Sequence, residues 1–460
     1  MRRLCLVATA LFACADAHDP THQAADDGSS SAATGDESSG STGEAATVHF
    51  HEDVAPIFAA ACNGCHRDGG VAPFSLEDYD AASTWAGSIR TAVAARTMPP
   101  FNVTADGSCN EFLDARWLAP DEIDTIVAWV DQGAARGDAQ LGVPAPPEPE
   151  ALGGQRRLAL QTPADYQPIN EDVPAAPADD YQCFLVDPGF EQDAFLVGFD
   201  VQPGNARIVH HVLAFDVDPA ASSLAGGRND ALLEALDAES PEPGWDCFNA
   251  AGDGVMVQGV PITWAPGTGA TNFPAGTGIR LRAGHKLVVQ MHYHLLGDDG
   301  SDQTGITLAL ADTVEREAHA ALMDGFLATL LGSPAELPPG RTDASYEWSV
   351  RLRDIPNLGM DADVVEAELL GVLPHMHQRG RRMWIDLDRD AGAACGARIP
   401  QWDYDWQQAY YYEQPIPVTM DDRLRVRCEW DTTDSSEPVL PGLGTDAEMC
   451  LAGVYLVERG

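Results

Sequence analysis

Hydrophobic positions change their spacing several times along the chain, and each change marks a different kind of element. Leu4 to Phe12 form an apolar run behind Met1-Arg2-Arg3, too short to span a bilayer and laid out as a secretory signal. Residues 15–46 are almost all Ala, Ser, Gly, Thr, Asp and Glu without an aromatic, so they bury too little to offset chain entropy and are expected to form a disordered tether. Helical spacing comes next, over 47–138: Val54, Ile57, Phe58 and Ala61 share one face, as do Ile123, Ile126, Val127, Trp129 and Val130 after Pro120-Asp121-Glu122. A small all-α domain is predicted there. The stretch 139–156, with GVPAPPEP from Gly142 to Pro149, reads as a Pro-rich linker that separates it from the rest of the chain. Beyond it the pattern turns β-branched and alternating, as in Ile208 to Leu213, Ile279 to Arg282 and Lys286 to His292, which predicts antiparallel sandwiches over 157–315 and 316–460.

Composition narrows the partners. The chain has 460 residues and a net charge of -44, a surface that repels phosphate backbones and anionic lipid heads. Nucleic acid is therefore excluded, and membrane contact is expected only through a lipid. Leu11-Phe12-Ala13-Cys14 resembles a bacterial lipobox with Cys14 as the acylated residue, implying signal peptide 1–14 and anchoring to the outer membrane of a Gram-negative bacterium, on the periplasmic or surface side. Cleavage near Ala13 or Ala17 with an incidental cysteine is the alternative. Export also changes how the ten cysteines are read, because outside the cytoplasm thiols tend to be paired or attached.

Cys62-Asn63-Gly64-Cys65-His66 is a CxxCH motif, which spaces two thiols for thioethers to haem c and sets His66 under the iron. A zinc half-site would need a second ligand pair in the same unit, and a thioredoxin-like motif lacks its β-α-β context. Met98, in Thr97-Met98-Pro99-Pro100, is the expected sixth ligand, with His49 and His51 as competitors. A thioether ligand would favour ferrous iron and raise the potential, which suits an electron carrier. The segment resembles small cytochrome c domains of exported bacterial proteins.

Three histidine groups remain: His210-His211, His292 with His294, and His375 with His377. Imidazoles at i and i+2 on a strand share a face and can grip one metal, whereas adjacent His210 and His211 need a bulge to do so. His285 and His319 are expected at the surface, Met376 and Met383 in the core. The aromatics from Trp402 to Tyr412 are expected to be strand packing before substrate pocket.

The ordered set VHHV at 209–212, QMHY at 290–293, HMHQRG at 375–380 and EMC at 448–450 resembles the copper type II, ascorbate-dependent monooxygenases, over about 280 residues from Tyr181. The resemblance implies two jelly-roll β-sandwiches facing each other across a solvent cleft, each with one copper. It implies an electron-transfer copper on His210, His211 and His292, with His294 open as the alternative to His292. The catalytic copper would sit on His375, His377 and Met449. It further implies disulfides Cys183–Cys247 and Cys428–Cys450; Cys109 and Cys395 stay undecided. The implied activity is hydroxylation of a C–H bond of a small organic substrate with O2, with ascorbate or a periplasmic donor as reductant. The attached haem motif adds the expectation that electrons arrive through His66 and Met98. Leu373, Leu451 and Gly453 stand where peptide-amidating members carry the Arg, Asn and Tyr that hold a peptide carboxylate, which argues against peptides. A non-catalytic exported electron-transfer or copper-handling lipoprotein is the alternative.

Overall fold

The computed structural model describes residues 46–68, 70, 72–147, 150–169, 179–247, 251–266, 268–295, 300–325, 336–442 and 446–459. The expected signal, Cys14 and the tether up to residue 45 lie outside them. The described chain is mostly β, in several sheets with sandwich-like packing, and has a few helices near its N-terminus.

The N-terminal helices are α1 (Ala55–Ala61), α2 (Tyr79–Ala94) and α3 (Pro120–Asp131). Asp78 caps α2 by accepting the Ala81 N–H at 2.8 Å, and Glu122 reaches back to the Ala119 N–H at 2.8 Å to cap α3. Val54, Phe58, Ile126 and Trp129 are fully buried together with Phe50, so the apolar stripes of α1 and α3 face one core.

The remainder is organised by one continuous sheet in the order β1 (Arg156–Gln161), β10 (Gly305–Ala311), β3 (Ala194–Gln202), β8 (Thr277–Leu281), β11 (Arg316–Asp324), β18 (Leu451–Glu458), β13 (Glu366–His375) and β16 (Tyr410–Thr419), with β7 (Thr271–Asn272) on β3. A five-stranded sheet covers its first part in the order β5 (Trp245–Asp246), β2 (Asp179–Val186), β9 (Lys286–His294), β4 (Val209–Val217) and β6 (Gly259–Trp264). A four-stranded sheet, β12 (Ala344–Arg351), β17 (Arg423–Trp430), β14 (Gly380–Asp388) and β15 (Ala394–Ile399), covers the second. Strand β9 is buried on both faces: Val289, Met291 and Tyr293 enter the sandwich core, while Val288 packs with Phe215, Val217 and Leu233 of α4 (Asn229–Glu239) on the other side. Burial on both faces explains why β9 reads as a continuous apolar run instead of an alternation.

Strand β11 pairs in parallel with β8 and antiparallel with β18 and so joins the sheets of the two sandwiches. The N-terminal unit packs against the second of them. Phe101, Val103 and Phe112 belong to the core of the C-terminal sandwich, the Leu113 N–H donates to the Tyr411 carbonyl at 2.8 Å, and the Glu413 N–H to the Glu111 carbonyl at 3.0 Å. Local periodicity cannot report a contact made across some 300 residues. Met376 and Met383 are fully buried in the same core, as expected, and Trp402, Tyr410 and Tyr412 join them. His285 and His319 are half-buried instead of exposed, and His285 pairs with Asp216 at 2.9 Å.

Three disulfides form: Cys183–Cys247, Cys428–Cys450 and Cys109–Cys395. The last, undecided from sequence, staples the N-terminal unit to β15. Closing so long a loop restricts the unfolded chain strongly, so replacing both cysteines by serine should lower stability by about 2–5 kcal/mol. The urea midpoint checks this; a midpoint that does not move would mean that the apolar contacts hold the unit without help.

Candidate metal centre

The first histidine group is made by a bulge. Val209 pairs with Tyr293 and His211 with His292, leaving His210 as an extra residue in β4. The inserted residue bends the strand and lets neighbours that would otherwise point to opposite faces aim the same way. The Nδ1 atoms of His210, His211 and His292 form a triangle with sides of 3.3, 3.2 and 3.2 Å. A metal held about 2.0 Å from three imidazole nitrogens at tetrahedral angles would set them about 3.3 Å apart, so the donor set fits one ion. His292 Nε2 donates to Asp179 Oδ1 at 3.1 Å, which leaves its Nδ1 lone pair directed into the triangle. His294 gives its own Nδ1 to the same carboxylate at 2.6 Å and lies outside the triangle. Aromatic rings clamp two of the imidazoles: Tyr181 stacks on His292 at 4.1 Å and Tyr404 on His210 at 4.5 Å.

The second group lies at the end of β13. The rings of His375 and His377 are 5.2 Å apart and nearly perpendicular. His377 Nδ1 donates to the Ala447 carbonyl at 3.1 Å. His375 Nδ1 donates to Gln407 Oε1, and that amide is oriented by donating its Nε2–H to the Tyr404 carbonyl at 2.8 Å. Both imidazoles therefore keep Nε2 free as a donor atom. Met449 is buried and lines a cavity of about 300 Å3 with His211, His375 and His377. Its neighbours pin it. Cys450 is tied to Cys428 on β17, and the buried Glu448 carboxylate accepts the N–H groups of His377 at 3.0 Å and Arg379 at 2.7 Å and Trp430 Nε1 at 2.7 Å. Burial pushes the Glu448 carboxyl up to about 8 in spite of these three bonds.

The two groups adjoin: the rings of His211 and His375 are 6.3 Å apart, and Tyr404 stands 6.3 Å from His377 while stacked on His210. The cavity lies where the outward face of the five-stranded sheet (Leu213, Phe215) meets the outward face of the central sheet (Leu322, Leu373, Leu451).

A separate, mainly apolar cavity of about 340 Å3 opens beside α2. Cys62, Cys65, His66 and Met98 line it with Phe74, Ile89 and Trp406. His66 Nδ1 donates to the Phe74 carbonyl at 3.0 Å, leaving Nε2 available. Cys62 and Cys65 are the cysteines outside disulfides among the described residues, and burial pushes the Cys62 thiol up to about 12. Both amide atoms of Asn63 are buried without a hydrogen-bond partner. His51 is held by the Gly142 carbonyl at 2.8 Å, and neither it nor His49 lines this cavity.

Sequence reasoning missed Asp179, Tyr404, Gln407 and the role of Glu448. Asp179 faces His294 across the β2–β9 ladder, and Gln407 reaches His375 from a loop, so no local spacing points to either.

Burial keeps all five histidines neutral. It lowers His210 and His377 to about 3 and His375 to about 4, with neighbouring imidazoles adding to it for the first two, and holds His211 and His292 well below the ordinary value. An unfolded histidine titrates near 6.5, so below that pH the unfolded chain binds protons that the fold refuses. The stability from these groups is complete above about pH 6.5 and falls as pH drops toward their folded values. In metal-free protein each should contribute a slope of about 1.4 kcal/mol per pH unit between pH 6 and 5, and His375→Asn should reduce the measured slope by about one proton. An unchanged slope would mean that His375 is already charged or hydrated in the fold.

No curated protein sequence matches the chain. Among solved structures it is similar to peptide N-glycanase F, at 7% identity and a TM-score of 0.28, covering 66% of this chain and 96% of that one. The major capsid protein P2 of bacteriophage PM2 matches at 9% identity and a TM-score of 0.24, over 66% and 98%. The sequence profile of the copper type II ascorbate-dependent monooxygenase C-terminal domain matches residues 333–458, the part of the chain that contributes His375, His377 and Met449.

Proposed function

We propose that the chain is an exported copper monooxygenase that hydroxylates a C–H bond of a small organic molecule with O2. The observation that carries this reading is the cavity itself, which brings His211 of a metal-sized histidine triangle together with His375, His377 and Met449 of a mixed His-Met set. The domains read as two jelly-roll sandwiches, each supplying one copper site. Reaction balance requires one oxygen atom to enter the C–H bond and the other to leave as water, consuming two electrons and two protons. Copper, when bound, supplies the one-electron chemistry of O2 reduction.

The chain's own residues prepare the sites. Asp179 sets the tautomer of His292, and Gln407 and the Ala447 carbonyl set those of His375 and His377, so these three imidazoles need not rotate or lose a proton to become ligands. A thioether beside two imidazoles favours the reduced metal. The apolar walls keep bulk water from the reacting C–H bond.

The Cys62, Cys65, His66 and Met98 cavity reads as the seat of a haem c, which supplies a one-electron store. The position of Trp406 supports a haem that feeds the copper sites, with ascorbate or an exported donor reducing it. Trp406 forms part of that cavity wall, while the next residue, Gln407, holds His375. Asn102 fastens the loop by donating to the carbonyls of Asp403 at 3.1 Å and Trp406 at 2.8 Å. The lipid anchor at Cys14 belongs to the same proposal.

Elemental analysis of protein exported from a host able to attach haem c should give about two copper and one iron per chain, with copper falling to about one in His375→Ala/Met449→Ala. Iron without copper under copper-replete conditions would defeat the monooxygenase reading. Gln407→Ala should weaken copper at the His375 site or slow turnover by about tenfold or more, as loss of a ligand's outer partner commonly does, while leaving the three-histidine site filled. Unchanged copper affinity and turnover would show that Gln407 does not orient His375.

A further inference from the structure

Resting on the monooxygenase reading, we infer that the substrate is an uncharged, largely hydrocarbon molecule of about ten carbon atoms, since the cavity has about twice the volume of the ~150 Å3 apolar cavity that accepts benzene. Its walls carry the argument. Leu213, Phe215, Val260, Trp264 and Leu322 surround the space of about 300 Å3, and no Asp, Glu, Lys or Arg among the described residues lines it.

Apolar side chains flank the ligands. Leu451 is the cross-strand partner of His375, and Leu373 lies two residues before it on the same strand face; both line the cavity. A carboxylate placed there would shed its water and meet no cation among the described lining residues. An ammonium would meet no anion among the described lining residues either: Asp179, whose Oδ1 takes both His292 and His294, does not line the space. Two of the amides that do line it are also committed: Gln290 Nε2 donates to the Cys247 carbonyl at 2.9 Å, and Gln407 is held between His375 and Tyr404. The net charge of -44 further opposes the approach of anions. What the wall offers for recognition is chiefly apolar contact, with the neutral polar side chains of Tyr181, Thr263, Asn357 and Gln408 and the imidazole and thioether groups beside it.

The test is calorimetric binding to the full, copper-loaded, reduced chain without O2, using indane, N-acetyl-phenylalanyl-glycine and phenethylamine as neutral, anionic and cationic probes. Indane should bind at least about tenfold more tightly than either charged probe. Equal or tighter binding of a charged probe would overturn the substrate class and leave the monooxygenase reading standing. A preparation that takes up no copper under replete conditions overturns that reading, and this inference with it. Val260→Phe, which narrows the cavity, should abolish indane binding with copper content and thermal midpoint unchanged; undiminished binding would place indane elsewhere and overturn the assignment. Leu373→Arg should lose indane and gain the peptide acid, provided its thermal midpoint matches the parent protein.

Discussion

The pairing of β11 with β8 on one side and β18 on the other decides how the rest of the molecule is arranged. It makes one sheet out of two sandwiches, so neither can turn its outward face to water without breaking ladder hydrogen bonds. The outward faces meet instead, and the histidines of each sandwich come together in the same apolar space. Rings 6.3 Å apart at His211 and His375 are a direct consequence of that continuity. An arrangement in which the two halves were joined only by a flexible segment would leave both groups hydrated and their separation unset.

Burial then determines the protonation of the site. Five imidazoles in a small volume could not all be charged, and desolvation removes the charge before any metal is considered. Four of them are oriented or stacked by a neighbour: His292 by Asp179 and Tyr181, His210 by Tyr404, His375 by Gln407 and His377 by the Ala447 carbonyl. A site with its lone pairs already aimed has little reorganisation left to do on binding a metal. The same low polarity that neutralises the histidines also shapes what else can enter, which is why one set of walls bears on both ligand chemistry and substrate class.

The loop from Trp402 to Gln408 connects regions that are far apart in sequence. Trp402 donates to the His377 carbonyl at 3.1 Å, Tyr404 covers His210, Trp406 borders the cysteine-histidine cavity, and Gln407 holds His375. Asn102 ties the segment between α2 and α3 to this loop, and the Cys109–Cys395 disulfide ties it to β15.

What could be read from the sequence was whatever depends on neighbours within a few residues. Helix stripes, strand alternation, the CxxCH spacing and the need for a bulge at His210-His211 all derive from backbone periodicity, and the ordered His-Met motifs carried a family resemblance that reaches the matched C-terminal domain. What required the tertiary structure was every relation across the chain. It put His292 in the triangle and His294 on Asp179, although both lie on the same strand face; it paired Cys109 with Cys395; and it brought Gln407 to His375. These are contacts between segments tens to hundreds of residues apart, selected by sheet register and shared burial, and a one-dimensional pattern carries no information about which distant face will cover a given side chain.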